Sequence, residues 1–280
     1  MRTTGYFHTH YYIIDVQTSG QQFWIIPFGD VHKFAPLHAG DQWARFLSDS
    51  ANLEGAHFLR MGDYMDLASS SERSMLKDGR FHDSTIQTLE ELYMSNTRRL
   101  CSDLEFMRGR LIGFVEGNHY GEFKDGTTTT QQMCRLLDCK YLGASAFIRI
   151  SFRYKTQARS LDIWAHHGKG ASRLVGGSLN TVQQMGEQAE ADLYCMGHDH
   201  KKSVGMVSKL KLSGASNLKV VSRRQLYVRT GSFLRGYVDG KQSYVADMGL
   251  NPTDLGVVQI GVRVRKLDKE NIDLELSARI

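Results

Sequence analysis

Five short apolar segments of this chain are each followed by side chains that can bind a metal ion. The segments lie at residues 23–28, 57–61, 111–115, 161–165 and 193–196, and they are rich in the branched and aromatic residues that favour strands. More helical sequence follows them, and this alternation predicts an α/β domain. Because ligands bind at the carboxyl ends of the strands in an open α/β sheet, we expect the residues after these segments to meet in one crevice.

The candidate ligands are aspartate, asparagine and histidine side chains close to the end of each segment. In chain order they are Asp30 and His32, Asp63 and Asp66, Asn118 and His119, His166 and His167, and His198 and His200. A single histidine beside an apolar run is more often a hydrogen-bonded structural residue. Five other histidines are interpreted in that way: His8, His10, His38, His57 and His82. An ordered set after five segments predicts a shared site instead.

Two longer segments, residues 41–51 and 84–107, place apolar residues at helical spacing and predict helices. The threonine tract at residues 127–130 predicts a loop that runs into a helix at 131–137. These helices lie between the predicted strands, as an α/β domain requires.

The sequence after His200 has a different texture, with strand-like pieces separated by glycine. The segments 226–229, 231–237 and 257–264 predict a mostly β end to the chain. The sequence shows no internal repeat and no proline-rich linker, and it contains only three prolines. We therefore predict a single domain over residues 1–280.

The composition excludes several classes of protein. With 41% hydrophobic and 23% charged residues, the chain is unlike a disordered or fibrous protein. No apolar run is long enough to cross a bilayer, and the first residues lack the pattern of a secretory signal. The four cysteines form no C-x-x-C pair, which favours reduced thiols. We expect a cytoplasmic protein without a membrane partner.

The net charge of +5 is unevenly distributed along the chain. Residues 201–280 contain 15 Lys or Arg and 7 Asp or Glu, so the first 200 residues carry a small negative balance. The basic run at residues 201–235 has nine Lys or Arg and no acid. Such a run either attracts phosphate groups or forms solvated strand faces, and the sequence leaves both interpretations open.

Five motifs together resemble a known family. Asp30-x-His32, Gly62-Asp63-x-x-Asp66, Gly117-Asn118-His119, His167-Gly168 and Gly197-His198-x-His200 resemble the signature blocks of the calcineurin-like metallophosphoesterases. They span more than half of the chain, and residues 229–237 resemble the strand after the last block in phage and bacterial members. The resemblance implies a four-layer α/β/β/α metallophosphoesterase sandwich with two mixed sheets and two divalent metal ions in its crevice.

The resemblance also implies a role for each matched residue. Asp30, His32 and His200 would hold one ion, Asn118, His167 and His198 the other, and Asp63 would bridge them. His119 would be the general acid, and Asp66 would orient it. Ligands of this kind, without thiolate, suit Mn²⁺, with Fe or Zn²⁺ as alternatives.

Three further residues are candidates for substrate binding. Consecutive strand residues face opposite ways, and Gly168 favours His167 as the ligand, which leaves His166 to face the substrate or to support the site. Lys169 and Arg173 follow the same block, where they either bind phosphates that flank the scissile one or form a solvated rim.

The family resemblance implies a metal-dependent phosphoric ester hydrolase. We favour a phosphodiesterase that cleaves nucleic-acid or nucleotide bonds by in-line attack of a metal-bridging hydroxide, with DNA or RNA among its substrates. The alternatives are a phosphomonoesterase acting on nucleotides or phosphoproteins, and an inactive binding scaffold. The sequence leaves the oligomeric state open.

Overall fold

The fold is built on two mixed β-sheets. The structure is a computed structural model that describes residues 9–79, 81–170, 172–214, 217–268 and 271–280. The first sheet has the order β1 (Thr9–Asp15), β6 (Ser145–Tyr154), β7 (Gln157–His166), β8 (Leu193–Met196), β10 (Lys219–Ser232) and β11 (Gly256–Val257), and β9 (Lys202–Ser213) pairs with β10. The second has the order β13 (Ile272–Arg279), β12 (Gln259–Lys266), β2 (Gln22–Phe28), β3 (Ala56–Arg60), β4 (Leu111–Val115) and β5 (Tyr141–Gly143). In each sheet, parallel pairs such as β2–β3 and β7–β8 lie beside antiparallel pairs such as β12–β13 and β6–β7.

The helices cover the outer faces of the two sheets. They are α1 (Gly40–Asn52), α2 (Ser70–Asp78), α3 (Asp83–Leu104) with a 3₁₀ turn at Glu105–Met107, α4 (Thr129–Leu137), α5 (Val175–Gln183), α6 (Met185–Gln188) and α7 (Tyr244–Asp247). The second sheet packs against α1, α3 and α4, and the first against α5 and α6. Among the described residues no helix is both long enough and apolar enough to span a membrane.

The core has three apolar layers, because successive side chains of a strand point to opposite faces. In β2, Phe23 and Ile25 pack between the two sheets, whereas Trp24 and Ile26 face the helices. The whole segment is therefore apolar rather than alternating, as strands covered on both faces usually are. These layers confirm the α/β/β/α sandwich with two mixed sheets.

The structure confirms the five predicted strands and the helices predicted at 41–51 and 84–107. Thr129 and Thr130 are already helical, because Thr128 caps α4 in a capping box. The end of the chain is mostly β, as predicted, but 257–264 is divided between β11 and β12.

The strand predicted at 231–237 is wrong beyond Ser232, where β10 ends. Phe233 turns out of the sheet and packs between Trp43 and Phe46 of α1, with ring centroids 5.1 and 5.3 Å away. Burial of this aromatic ring on the helix side has overridden the strand pattern.

Three of the histidines interpreted as structural make local hydrogen-bonding contacts. His57 Nδ1 is 2.9 Å from the Tyr12 hydroxyl, and His38 Nδ1 is 2.9 Å from the Val31 carbonyl oxygen. His82 caps α3 by accepting the Ser84 N–H. These observations confirm the interpretation for the three; His10 lies on β1, and His8 is outside the described residues.

Arg60 carries a buried charge in the helix-side core. Its side chain is fully buried, and its three guanidinium nitrogens have no hydrogen-bond partner among the described residues. The guanidinium carbon lies 4.6, 4.2 and 4.8 Å from the ring centroids of Phe28, Tyr64 and Phe114. Burial lowers the pKa of Arg60 to about 10. Among the described residues, the three aromatic faces are thus the groups placed to stabilise this cation.

We expect Arg60→Met to raise the free energy of unfolding by about 1–3 kcal/mol, because it keeps the packing and removes an unpaired buried charge. The control Arg60→Ala leaves a cavity beneath three rings and is expected to lower it by about 2–4 kcal/mol. Urea denaturation measures both effects. A Met variant destabilised as much as the Ala variant would contradict this view of Arg60.

Candidate metal centre

Loops that follow β2, β3, β4, β7 and β8 bring the predicted ligands into one crevice. Within the described parts of the chain, three groups have ligand atoms that all lie within 4.8 Å of one another. They are Asp30, His32 and His200; Asp63, His167 and His198; and His32, Asp66 and His119. The structure thus brings together nearly all of the residues that the sequence pattern singled out.

The first group surrounds a buried carboxylate. Asp30 is fully buried, and its Oδ2 accepts the His198 N–H at 2.9 Å. Its Oδ1 accepts no hydrogen bond from the described residues and lies 3.4 Å from His200 Nε2, which is 3.3 Å from His32 Nε2. Burial alone would raise the pKa of Asp30, but His200 lowers it below its ordinary value. A buried anionic oxygen without a donor fits a cation site.

The second group is a set of acceptors that face one another. His167 Nδ1 donates to the Met61 carbonyl oxygen at 2.7 Å, which leaves the Nε2 lone pair for the crevice in the neutral ring. That Nε2 lies 2.9 Å from Asn118 Oδ1 and 3.2 Å from Asp63 Oδ2. His198 Nδ1 is also 2.9 Å from Asn118 Oδ1. With the rings neutral, these lone pairs converge on one point, which fits a bound cation.

The charges of the second group also favour a cation. Burial alone would lower the pKa of His167, but the Asp63 carboxylate raises it to about 9. Burial would likewise raise the pKa of Asp63, and His167 holds it well below its usual range. The buried carboxylate of Asp63 is therefore stabilised by positive charge beside it, which a divalent ion would supply.

Asp63 belongs to the second group and also faces His32 of the first. Its Oδ1 accepts the backbone N–H groups of Asn118 and His119, at 2.6 and 2.9 Å. Its Oδ2 faces both sides, 3.2 Å from His167 Nε2 and 3.9 Å from His32 Nε2. A carboxylate in this position can offer an oxygen to each of two ions.

The ligand loops are held in an uncommon backbone conformation. Asp30, His32, Asp63, His198 and His200 have φ angles of 48°, 45°, 49°, 73° and 60°. Non-glycine residues with such angles each cost on the order of 1–3 kcal/mol and cluster at functional sites. Five of the eight in the described residues are candidate ligands.

Two glycines allow the loops to approach so closely. A Cβ on Gly117 would overlap the carboxylate of Asp63, and one on Gly62 would collide with the His167 ring. Glycine is thus required at both positions by space, and at Gly62 also by a φ of 99°.

His119 and Asp66 form a separate pair at the edge of the crevice. His119 Nδ1 donates to Asp66 Oδ1 at 2.8 Å, so Nε2 is the ring nitrogen left for another partner. Burial alone would lower the pKa of His119, but Asp66 raises it above its ordinary value. The hydrogen bond from His119 in turn lowers the pKa of Asp66. The pair favours a protonated imidazole, as a proton donor requires.

Sequence reasoning missed two arginines that shape the site. Arg73 of α2 donates to the carbonyl oxygens of Asn118 and Tyr120, at 2.7 and 3.2 Å, and stacks on the Tyr120 ring at 3.8 Å. Arg229 is buried, donates to the Gly197 carbonyl oxygen at 2.7 Å and lies 3.4 Å from Asp199 Oδ2. Each supports a ligand loop from a distant part of the chain. No local motif marks Arg73, and the segment 229–237 was singled out as a strand without a role for Arg229.

The candidate substrate-binding residues do not all reach the crevice. Arg173 lines a cavity of about 630 Å³ that opens beside the candidate ligands, whereas His166 and Lys169 are not among the described residues that line it. His166 is the last residue of β7, and its Nδ1 accepts the Gly168 N–H at 2.7 Å. The structure therefore brings His167, and not His166, to the acceptor cluster.

The basic run at 201–235 is divided by the fold. Lys201 and Arg235 line the cavity. Lys209, Lys211 and Lys219 lie on the β9–β10 hairpin. The pairing of this hairpin begins at Lys202 and Thr230, near the crevice, and the two strands extend away from it. At about 3.3 Å a residue, Lys211 is about 30 Å along the strand from Lys202. For the hairpin, the structure favours solvated strand faces over phosphate contacts at the site.

Comparisons with known proteins give only distant likenesses. No family model and no curated protein matches the chain. Similar solved structures include Chaetomium thermophilum Vps29, with 13% identity over 91% of this chain and 97% of that one and a TM-score of 0.36. A second is a predicted phosphoesterase of Streptococcus pneumoniae TIGR4, with 10% identity over 92% and 99% of the two chains and a TM-score of 0.33.

Adding Mn²⁺ or Zn²⁺ to the metal-free protein is expected to raise its Tm. An ion that binds only the folded state contributes about 2.7 kcal/mol at 100 times its Kd, or roughly 5–10 °C for a chain of this size. Asp63→Asn should abolish most of the shift, because it removes the shared charge. Differential scanning calorimetry measures this, with Asp49→Asn on the exposed side of α1 as the matched control. Equal shifts in both variants would mean that the ions bind elsewhere.

Proposed function

We propose that this chain is a phosphoric ester hydrolase that depends on two divalent metal ions and acts on phosphodiester bonds of nucleotides or nucleic acid. One observation carries the proposal: two acceptor-rich groups meet at Asp63 Oδ2, with the His119–Asp66 pair at their edge. Buried acceptors normally face donors, so residues that served only the stability of the fold would not bring so many acceptors together.

The residues present fit two ions. Asp30, His32 and His200 would hold one, Asn118, His167 and His198 the other, and Asp63 would be shared. We propose Mn²⁺, with Fe or Zn²⁺ as alternatives, because the ligands are carboxylate, imidazole and amide without thiolate. When bound, two such ions acidify a water and withdraw charge from the phosphoryl oxygens.

His119 would donate the proton that the leaving alkoxide needs. Asp66 holds Nδ1, so the proton would come from Nε2. The neighbouring backbone is fixed as well, because the His119 N–H donates to Asp63 and Arg73 binds the carbonyl oxygens on either side. One hydrogen bond thus orients the imidazole and three fix the backbone around it, which places the general acid before substrate arrives.

The size of the cavity supports our proposal of a diester. It extends from the candidate ligands into a volume of about 630 Å³, which leaves room for the two organic groups that a diester carries. The same ligands would also serve a phosphomonoesterase on nucleotides or phosphoproteins. Lys201, Arg173 and Arg235 line the cavity and would suit the second negative charge of a monoester.

Cytoplasmic localisation stays a prediction from the sequence.

His119→Ala is expected to lower kcat by about 100-fold or more on an alkyl phosphodiester, because general acids contribute factors of that size to poor leaving groups. Turnover of a diester with a 4-nitrophenyl leaving group should fall much less, since that group departs without a proton. Steady-state kinetics with both esters measures the difference, and metal content should remain that of the wild type. Equal losses on the two esters would contradict the role of His119.

A substrate panel tests the reaction class. With Mn²⁺, we expect bis(4-nitrophenyl) phosphate to be hydrolysed with a higher kcat/KM than 4-nitrophenyl phosphate. Asp63→Asn is the matched inactive control. The opposite preference would support the phosphomonoesterase, and a metal-loaded protein without activity on any ester would support the binding scaffold.

A further inference from the structure

The cavity beside the candidate metal groups has a partly apolar lining, and we call it the chamber. His119, His198 and His200 line it. Five apolar residues of the same lining form what we call the wall: Pro36, Leu37, Leu234, Val245 and Leu250. Four of these five side chains are only half-buried, so the wall is exposed to the cavity and is not part of the core. Metal chemistry alone gives no reason for an apolar surface so close to charged ligands.

Three segments build this wall, at residues 36–37, 234 and 245–250, and hydrogen bonds join the first two to each other and to the loop of Asp30. The Phe233 N–H donates to the Asp30 carbonyl oxygen at 2.9 Å, and the Arg235 N–H donates to the Leu37 carbonyl oxygen at 3.0 Å. Phe233 itself is fully buried. The wall therefore keeps a set distance from Asp30, and its position relative to a phosphate in the crevice is fixed.

The far end of the wall is held by its own hydrogen bonds. The Tyr237 hydroxyl donates to the Leu250 carbonyl oxygen at 2.6 Å, and the Leu250 N–H donates to the Val245 carbonyl oxygen at 2.9 Å. The Thr253 hydroxyl donates to the Leu234 carbonyl oxygen at 3.1 Å. The chamber is thus preformed, which lowers the entropy cost of binding a ligand.

The polar groups around the chamber suit a ligand with a charged end and a ring. Lys201 and Arg173 contribute positive charge to the lining, and Arg235 lines it as well while it pairs with Asp41. Gln242 and Asn251 line the same cavity, and each amide offers both a donor and an acceptor. Small-molecule sites combine in this way a mainly apolar surface with a few polar groups.

We propose that the chamber binds the base of a nucleoside whose phosphate lies at the metal groups, so that the substrate is a nucleotide-sized phosphodiester. This inference rests on the proposed function and names its substrate class. A nucleobase has apolar faces for the Leu37, Leu234 and Leu250 side chains and a polar edge for the amides. In a duplex the base is stacked and reaches such a chamber only after it is flipped out, so duplex DNA is the poorer substrate.

The decisive test compares two diesters with the same leaving group. One is the 4-nitrophenyl ester of thymidine 5′-monophosphate, and the other is methyl 4-nitrophenyl phosphate, which lacks the base. We expect kcat/KM of the wild type to favour the nucleoside ester by about 10-fold or more, the range that pocket contacts of this size provide. Leu250→Ala should remove most of that preference by raising KM for the nucleoside ester, with little effect on the methyl ester.

The matched control is Leu212→Ala on the β9–β10 hairpin, where the side chain is 64% exposed. It should leave both esters unaffected. Equal kcat/KM of the wild type for the two esters, equal losses on both in Leu250→Ala, or faster cleavage of duplex DNA than of the nucleoside ester would overturn the inference. Hydrolysis of both diesters without preference would leave the proposed function intact.

A binding measurement decides the matter without turnover. Isothermal titration calorimetry of the Mn²⁺-loaded protein should show tighter binding of thymidine 5′-monophosphate than of methyl phosphate. Leu250→Ala should weaken only the former. Equal binding of the two phosphates to the wild type would overturn the inference, whatever the activity.

Discussion

The arrangement of the crevice depends on the buried carboxylate of Asp63. One carboxylate oxygen accepts the N–H groups of Asn118 and His119, and the other faces His167. The Asp63 carbonyl oxygen accepts the His32 N–H at 3.0 Å. One residue thus joins the loops after β2, β3 and β4. Because these strands are paired in parallel, their carboxyl ends meet at one edge, and Asp63 sets the distance between the two candidate ion sites.

The same site is destabilising by itself. It combines buried carboxylates, facing lone pairs and left-handed backbone at five candidate ligands. The apolar layers between and outside the sheets hold this arrangement in place, and Gly62 and Gly117 provide the necessary close approach. A bound cation would remove the electrostatic part of the cost. Unfavourable local structure supported by a rigid scaffold is typical of functional sites.

The strands and the convergence of the candidate ligands were predictable because their signals are local. An apolar segment such as residues 111–115 ends three residues before Asn118, and the order of strand and ligand is preserved along the chain. Contacts between distant residues were not predictable in this way. Arg73 acts on a loop 45 residues later, and only the folded chain shows that contact.

Charge and apolar patterns were ambiguous for the same reason. The basic run at 201–235 is continuous in sequence, but the β9–β10 hairpin carries much of it away from the crevice. Phe233 continues an apparent strand, yet it turns into the helix-side core and thereby places Leu234 on the cavity wall. The pairing of β9 with β10 determines where the basic residues lie, and the packing of α1 determines where Phe233 lies. Neither contact can be predicted from the local sequence pattern.

A crystal structure of the Mn²⁺-soaked protein, with anomalous difference maps, tests the central claim most directly. The account predicts two anomalous peaks, one bound by Asp30, His32 and His200 and the other by Asn118, His167 and His198, with Asp63 contacting both. Peaks at other residues, or a crevice without any peak under conditions of full activity, would contradict it.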